Sequence, residues 1–337
     1  MGRIEQKQDR GAITGVSVIV PCFKRVKQTL RTIDLIFGSR GWGKEFLAEV
    51  IVADSSPDFA LKTALLKKFA VDTECQQQLF YLKPKKVGIA INKNAGAKQA
   101  KYPVLIFCDS DIEIEPDTLL KTIQSLQKYP EATGITGMVI WKGGKNEGKL
   151  DRSREEDRFI KRGIHIFAEM IYSRYFATYK DIFWQVGGYD EQVFNMRGEG
   201  SDLSMRYWRA GFPLCFDPTI KVFHREDASD SIALRVKNAH FRIAKDMWLL
   251  GIKYGNFEKF SPNFLKTLEA NFAKYEDPVF VFCEGLFQHA DFIKLEGVSL
   301  LQAGRSETPS KPRYPFEFLE TFSKRNRGLL KKIISQI

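Results

Sequence analysis

Short apolar runs recur through the first half of the chain: Val16-Ser17-Val18-Ile19-Val20, Val50-Ile51-Val52-Ala53, Leu79-Phe80-Tyr81-Leu82, Val104-Leu105-Ile106-Phe107-Cys108 and residues 135–141. Helical signals separate each run from the next. Leu30, Ile33, Ile36 and Phe37 form one stripe, Leu61, Leu65, Leu66 and Phe69 a second, and helices are also expected over residues 88–101 and from about Pro116 to Gln127. A strand that reads as an unbroken apolar run is covered on both faces. Such strands, alternating with helices, predict an α/β fold: a Rossmann-like, mostly parallel sheet flanked by helices.

The rhythm breaks at residues 142–163, where Gly143, Gly144 and Gly148 stand among dense Lys, Arg, Glu and Asp and predict a loop. Order resumes near residue 176 with a short strand, a turn at Gly187-Gly188, a helix near 202–210 and two short strands flanking Pro218. Residues 230–252, 261–275 and 315–337 read as helical, which divides the chain into an α/β domain over 1–229 and a helical extension over 230–337.

Composition limits the partners. Of 337 residues 44% are hydrophobic and 28% charged, the balance of a folded protein, and the net charge of +11 favours an anionic ligand. That ligand is a phosphorylated small molecule, an acidic membrane surface or nucleic acid. No zinc-finger, helix-turn-helix or aromatic stacking motif supports nucleic acid, and none is expected as a partner. No apolar run approaches the ~20 residues of a membrane span, and residues 1–15 lack the apolar stretch of a secretory signal. The five cysteines are scattered without zinc or disulfide spacing, so a cytoplasmic location is expected. From Pro315 the chain reads as a basic amphipathic helix. It suits peripheral contact with the inner surface of an anionic membrane, and equally docking on the protein's own core.

Turn-forming and acidic residues follow three of the apolar runs: Pro21-Cys22-Phe23, Asp54-Ser55-Ser56-Pro57-Asp58 and Asp109-Ser110-Asp111. Ligands of open α/β sheets bind outside the carboxyl ends of the strands, so parallel neighbours would gather all three groups on one rim. Asp54 could then accept hydrogen bonds from a base or ribose. Two carboxylates at i and i+2 suit a hard cation such as Mg2+ or Mn2+, which would bridge a diphosphate, although an isolated Asp-x-Asp also serves as a turn or cap pair. Glu199-Gly200-Ser201-Asp202 reads either as an acidic helix start or as the source of a general base. His224, after a short apolar run, is either structural or a metal ligand.

Together these residues resemble the inverting glycosyltransferases of family 2, which have the GT-A fold. The resemblance runs over residues 16–226. It is carried by Val18-Ile19-Val20-Pro21-Cys22-Phe23-Lys24-Arg25, Val50-Ile51-Val52-Ala53-Asp54-Ser55-Ser56, Gly88 with Lys93-Asn94-Ala95-Gly96, and Phe107-Cys108-Asp109-Ser110-Asp111. Val186-Gly187-Gly188-Tyr189-Asp190-Glu191 and Glu199 with Asp202-Leu203-Ser204 complete it.

The resemblance implies a sugar transferred from a nucleotide-diphosphate sugar, most often a UDP-sugar, to a hydroxyl of a glycan, glycolipid or protein acceptor. It implies donor binding by Pro21, Phe23, Arg25, Asp54, Lys93 and Asp109, and a Mn2+ or Mg2+ ion at Asp109 and Asp111 joined by His224. Lys93 stands where many members have arginine, and Gly187-Gly188-Tyr189-Asp190 would shape the acceptor side. One position departs from the pattern: Gly200 stands where the family often has its catalytic aspartate, leaving Glu199, which we favour, or Asp202 as base. That departure keeps open a degenerate protein that binds the donor without transfer. A nucleotidyltransferase would need a Gly-rich loop after the first strand, where this chain has Pro21-Cys22-Phe23-Lys24-Arg25.

Overall fold

The computed structural model describes residues 12–70, 73–150, 159–162, 165–168, 170–194, 198–225 and Asp246. The predicted helices beyond residue 230, including the basic amphipathic segment, lie outside the described residues. The chain divides into two units, Met1–Tyr189 with Leu203–Asp230, and Asp190–Asp202 with Ser231–Ile337. The sheet belongs to the first.

In chain order the elements are β1 (Gly15–Cys22), α1 (Val26–Phe37), β2 (Leu47–Asp54), α2 (Ala60–Phe69), α3 (Thr73–Gln78), β3 (Leu79–Leu82), α4 (Ile89–Gln99), β4 (Val104–Cys108) and β5 (Ile112–Ile114). They continue with α5 (Thr118–Lys128), β6 (Gly134–Lys142), β7 (Phe159–Arg162), β8 (His165–Ala168), β9 (Tyr175–Tyr179), α6 (Lys180–Gln185), α7 (Glu199–Arg209) and β10 (Leu214–Arg225). The strands form one sheet in the order β3-β2-β1-β4-β9-β6-β10-β8-β7, with β5 against β10. The α/β class holds, and the sheet combines parallel and antiparallel strands. β3, β2, β1 and β4 run parallel, and so do β6 and β10, whereas β9 enters antiparallel between β4 and β6.

Burial follows the apolar runs. All eight residues of β1 and all five of β4 are buried. Where a polar side chain interrupts a buried run it has partners: Ser17 Oγ donates to Glu49 Oε1 at 2.6 Å, and the same oxygen accepts from the Lys101 amide at 2.6 Å. Helix α4 packs on β1 and β2, and its approach depends on Gly96, where a Cβ would come 2.4 Å from Ile19 Cγ2. Phe107 on β4 stacks on Phe176 of β9 at 6.4 Å between centroids and meets Tyr189 edge-on at 5.2 Å.

Three local expectations are corrected. Residues 159–162, read as loop, form β7 paired with β8, a pairing that charge-rich residues conceal from a pattern search. The two strands expected around Pro218 are one strand, β10, whose register with β6 shifts between Asp217 and Lys221; Pro218 is accommodated at that irregularity. On α2, Leu61, Leu65 and Phe69 are buried, but Leu66 is 64% exposed and outside the core.

Candidate active site

The parallel register sets the rim. Cys22 at the end of β1 lies beside Asp54 at the end of β2, and Ile19 lies beside Phe107, so β1, β2 and β4 finish along one edge. Pro21, Asp54 and the Asp109-Ser110-Asp111 turn are therefore neighbours on that edge, as the apolar runs predicted.

The turn after β4 is tied down from several sides. The Asp109 amide donates to the Arg174 carbonyl at 2.9 Å, and Thr32 Oγ1 on α1 donates to the carbonyls of Ser110 at 3.1 Å and Ile112 at 2.9 Å. β5 then pairs with β10, which brings His224 opposite Ile112. Glu113 anchors that short strand: its carboxylate receives Arg31 Nε and Arg225 Nε at 2.7 Å each and Lys142 Nζ at 2.8 Å.

Asp111 is paired with two basic side chains. Its Oδ2 accepts from Arg25 Nη1 and lies 3.0 Å from His224 Nε2. Burial raises its pKa, but the His224 hydrogen bond and the charges of Arg25, His224 and Arg174 outweigh that effect and hold it well below the usual carboxylate range. The indole of Trp141 packs on the His224 ring at 4.4 Å and fixes its plane. Asp109 Oδ1 faces the ammonium of Lys93 at 3.2 Å. That ammonium is fully buried, donates to the Ser173 carbonyl at 2.6 Å and sits 5.4 Å above the Tyr189 ring.

Asp54 is completely buried, 0% exposed, and partnered by its own chain. Oδ1 accepts from the amide of Ser56 at 2.9 Å and from its hydroxyl, while Oδ2 accepts from Tyr81 at 3.1 Å. Burial first, then the Asp54 charge and hydrogen bond, push the Tyr81 phenol well above its usual range, so Tyr81 is a fixed donor. Pro21 is buried at the strand end and Phe23 is half-buried, with the Lys24 ammonium 5.3 Å from its ring. Lys24 takes a left-handed φ of 55°, which turns the chain from β1 toward α1.

Sequence reasoning missed several of these groups. Arg174 and Trp141 belong to no motif. Asn94, a residue that carries the resemblance, clamps the Gly187-Gly188-Tyr189 turn with its side-chain amide: Nδ2 donates to the Tyr189 carbonyl at 2.8 Å and Oδ1 accepts from the Tyr189 amide at 2.9 Å. Gly187 and Gly188, at φ 90° and 64°, supply the left-handed backbone that turn needs. Glu199 and Asp202 lie in the second unit, on the first turn of α7, both buried; the Asp202 amide donates to the Gly198 carbonyl at 2.8 Å.

The model of the family described as "Glycosyl transferase family 2" matches residues 17–187, just over half of the 337. The chain belongs to that family. Among the proteins it is similar to is N-acetylgalactosaminyltransferase 4 of Drosophila melanogaster, 25% identical over 212 residues, 53% of this chain and 31% of that protein. N-acetylgalactosaminyltransferase 7 of Mus musculus is 23% identical over 57% of this chain and 35% of its own length. The chain thus spans about a third of the length of the curated relatives it matches.

Solved GT-A glycosyltransferases share the fold. GalNAc-T7 with UDP, GalNAc and Mn2+ superposes with TM-score 0.56 at 17% identity, over 75% of this chain and 50% of that one. The mannosyltransferase PcManGT of Pyrobaculum calidifontis, in complex with GDP-Man and Mn2+, gives 0.51 at 14% identity, over 83% and 81%.

Within the family 2 domain the donor set suits a divalent cation: two carboxylates and an imidazole, all oxygen or nitrogen. Among the described residues no three such side chains already form a cage, and the carboxylates face Arg25, Lys93 and His224. The chemistry of the set fits the ion.

Proposed function

We propose that the chain is an inverting glycosyltransferase that moves a sugar from a nucleotide-diphosphate sugar, with UDP as the nucleotide, to an acceptor hydroxyl of a glycan, glycolipid or protein. The observation that carries this reading is the pairing of Asp109 and Asp111 with Lys93, Arg25 and His224 on the rim that also holds Asp54. An arrangement of carboxylates interleaved with cations suits a diphosphate and its counter-ion. GalNAc-T7, solved with UDP and Mn2+, supports the choice of nucleotide and metal.

In this reading Asp54, with Ser56 and Tyr81, orients the nucleoside. Lys93 and Arg25 face the diphosphate, while Asp109, Asp111 and His224 would hold Mn2+ or Mg2+. Bound there, the ion supplies charge to the leaving diphosphate. A carboxylate, Glu199 in preference to Asp202, removes the acceptor's proton. The hydroxyl oxygen bonds to the anomeric carbon as the bond to the phosphate oxygen breaks, and the anomeric configuration inverts.

The test is release of UDP from UDP-sugars with Mn2+, together with UDP binding. Glu199→Gln is expected to lower kcat by about 100-fold or more while leaving UDP affinity unchanged, the usual weight of a general base. Normal turnover in Glu199→Gln would remove Glu199 from the role. Donor binding with no release under any condition would favour the degenerate reading that Gly200 raises.

A further inference from the structure

Glu113 is 6% exposed and stands among three cations. Arg31 Nε and Arg225 Nε both meet its Oε1 at 2.7 Å, and Lys142 Nζ meets Oε2 at 2.8 Å. Among the described residues no second carboxylate lies in ion-pair range of these three side chains, so one negative charge faces three positive ones. The two Nε atoms share an oxygen and stand no farther apart than twice that 2.7 Å, a range at which like charges repel. Each guanidinium has five N–H donors, more than the shared oxygen can take. Both reach solvent, Arg31 at 51% and Arg225 at 35% exposure, and so does Lys142, whose ammonium lies 5.5 Å from the Phe223 ring.

The cluster lies on the rim. β9 is antiparallel to both β4 and β6, and β10 is parallel to β6, so β4, β6 and β10 run in one sense and finish along one edge. Lys142 and Arg225 are register partners at the ends of β6 and β10, next to the Trp141–His224 pair. The sheet order runs from β2 through β1 and β4 to β6 and β10, which puts them at the end away from Asp54. In the donor-site reading the nucleoside lies at β2 and the diphosphate at the turn after β4. The stretch of rim beyond that turn is left to the acceptor.

We propose that Arg31, Lys142 and Arg225 seat a phosphate monoester carried by the acceptor. The proposal rests on the donor-site reading and deepens it by naming the class of acceptor. A phosphate monoester carries about −1.5 to −2 charge at pH 7, which matches the two positive charges that Glu113 leaves in excess. Its oxygens suit the fork of an arginine, and two such forks beside an ammonium present donors to all three terminal oxygens. Glu113 gathers the three side chains without neutralising them.

The experiment is calorimetric titration of the full chain with methyl phosphate, with UDP and Mg2+ present to fill the donor site and again without them. The unaltered protein is expected to bind methyl phosphate in both conditions. Arg31→Gln and Arg225→Gln should each bind it about 5–10-fold more weakly, the weight of a charge-assisted hydrogen bond at a partly exposed site. Glu113→Gln removes the competing carboxylate and should bind it about 3-fold more tightly, which a merely structural ion-pair network would not do. UDP affinity should stay within about 2-fold in Arg31→Gln and Arg225→Gln, as expected for separate sites. If thermal melting shows that Arg225→Gln or Glu113→Gln does not fold, Arg31→Gln decides, since that side chain is half exposed on α1.

No binding of methyl phosphate up to about 10 mM, or equal affinity in the unaltered protein and Arg31→Gln, overturns the proposal. Competition between methyl phosphate and UDP, or a matching loss of UDP affinity in the variants, gives the cluster to the donor's diphosphate and overturns it as well. If the unaltered protein does not bind UDP, the donor-site reading falls and the assignment to an acceptor falls with it. The titration without UDP separates that outcome from a failure of the cluster itself.

Discussion

Lys93 combines full burial with a positive charge, which is tolerated only because Asp109, a carbonyl and an aromatic face surround it. Replacing it with Met removes the cation and leaves Asp109, itself 20% exposed, to face the buried site without its ion-pair partner. The expected cost is about 2 kcal/mol in urea unfolding, below the ~3–5 kcal/mol of a fully buried pair because Asp109 reaches solvent. Donor affinity should fall as well; an unfolding midpoint equal to that of the unaltered chain would show that the ion pair contributes no stability.

Glu113 gives a second residue-scale expectation. Burial raises its pKa, but hydrogen bonds from Lys142 and Arg225 and their charges hold it below the ordinary glutamate range. A carboxylate with a depressed folded-state pKa contributes stability that is present above its unfolded value of ~4.3 and is lost as pH falls through the folded value. Melting temperature should therefore drop from about pH 4.5 downward, and Glu113→Gln should flatten that slope while lowering the plateau near pH 7. Equal slopes in the two proteins would contradict this account.

At the scale of elements, helix α4 carries two of the domain's tightest constraints. Gly96 lets it approach β1, and a methyl there would have to displace Ile19 Cγ2 from 2.4 Å. Gly96→Ala is expected to cost about 1–3 kcal/mol, the range for overpacking a filled core. Asn94 joins α4 to the Gly187-Gly188-Tyr189 turn with two hydrogen bonds. Asn94→Ala should cost about 2 kcal/mol, because a buried carbonyl and amide lose their partners, and Asn94→Asp should restore only the acceptor half. Thermal unfolding of the three variants checks both claims. The resemblance carried these residues as letters of a motif; their function as spacer and clamp follows from contacts that the motif does not express.

For the whole molecule, the net charge of +11 acts together with the cations grouped at the rim. UDP affinity should therefore weaken by about 3–10-fold between 50 and 500 mM salt, since the partly exposed Arg25 is screened more than buried Lys93. Calorimetry at several salt concentrations reads this directly, and a salt-independent Kd would show that the charge excess lies away from the ligand.

The succession of strands and helices and the place of Asp109-Ser110-Asp111 at a strand end were legible in the sequence. Apolar runs and turn residues act over a few neighbours, so the order of letters is enough to read them. It was not enough to show that β9 enters antiparallel between β4 and β6, or that β10 is a single strand past Pro218, because a pattern states which residues are buried and not what covers them. The pairing of cations with carboxylates was equally out of reach. Arg25 meets Asp111 across 86 positions of chain and His224 meets it across 113. Many lysines and arginines could answer each aspartate electrostatically, and only the packed sheet, by fixing distance and burial, selects the ones that do.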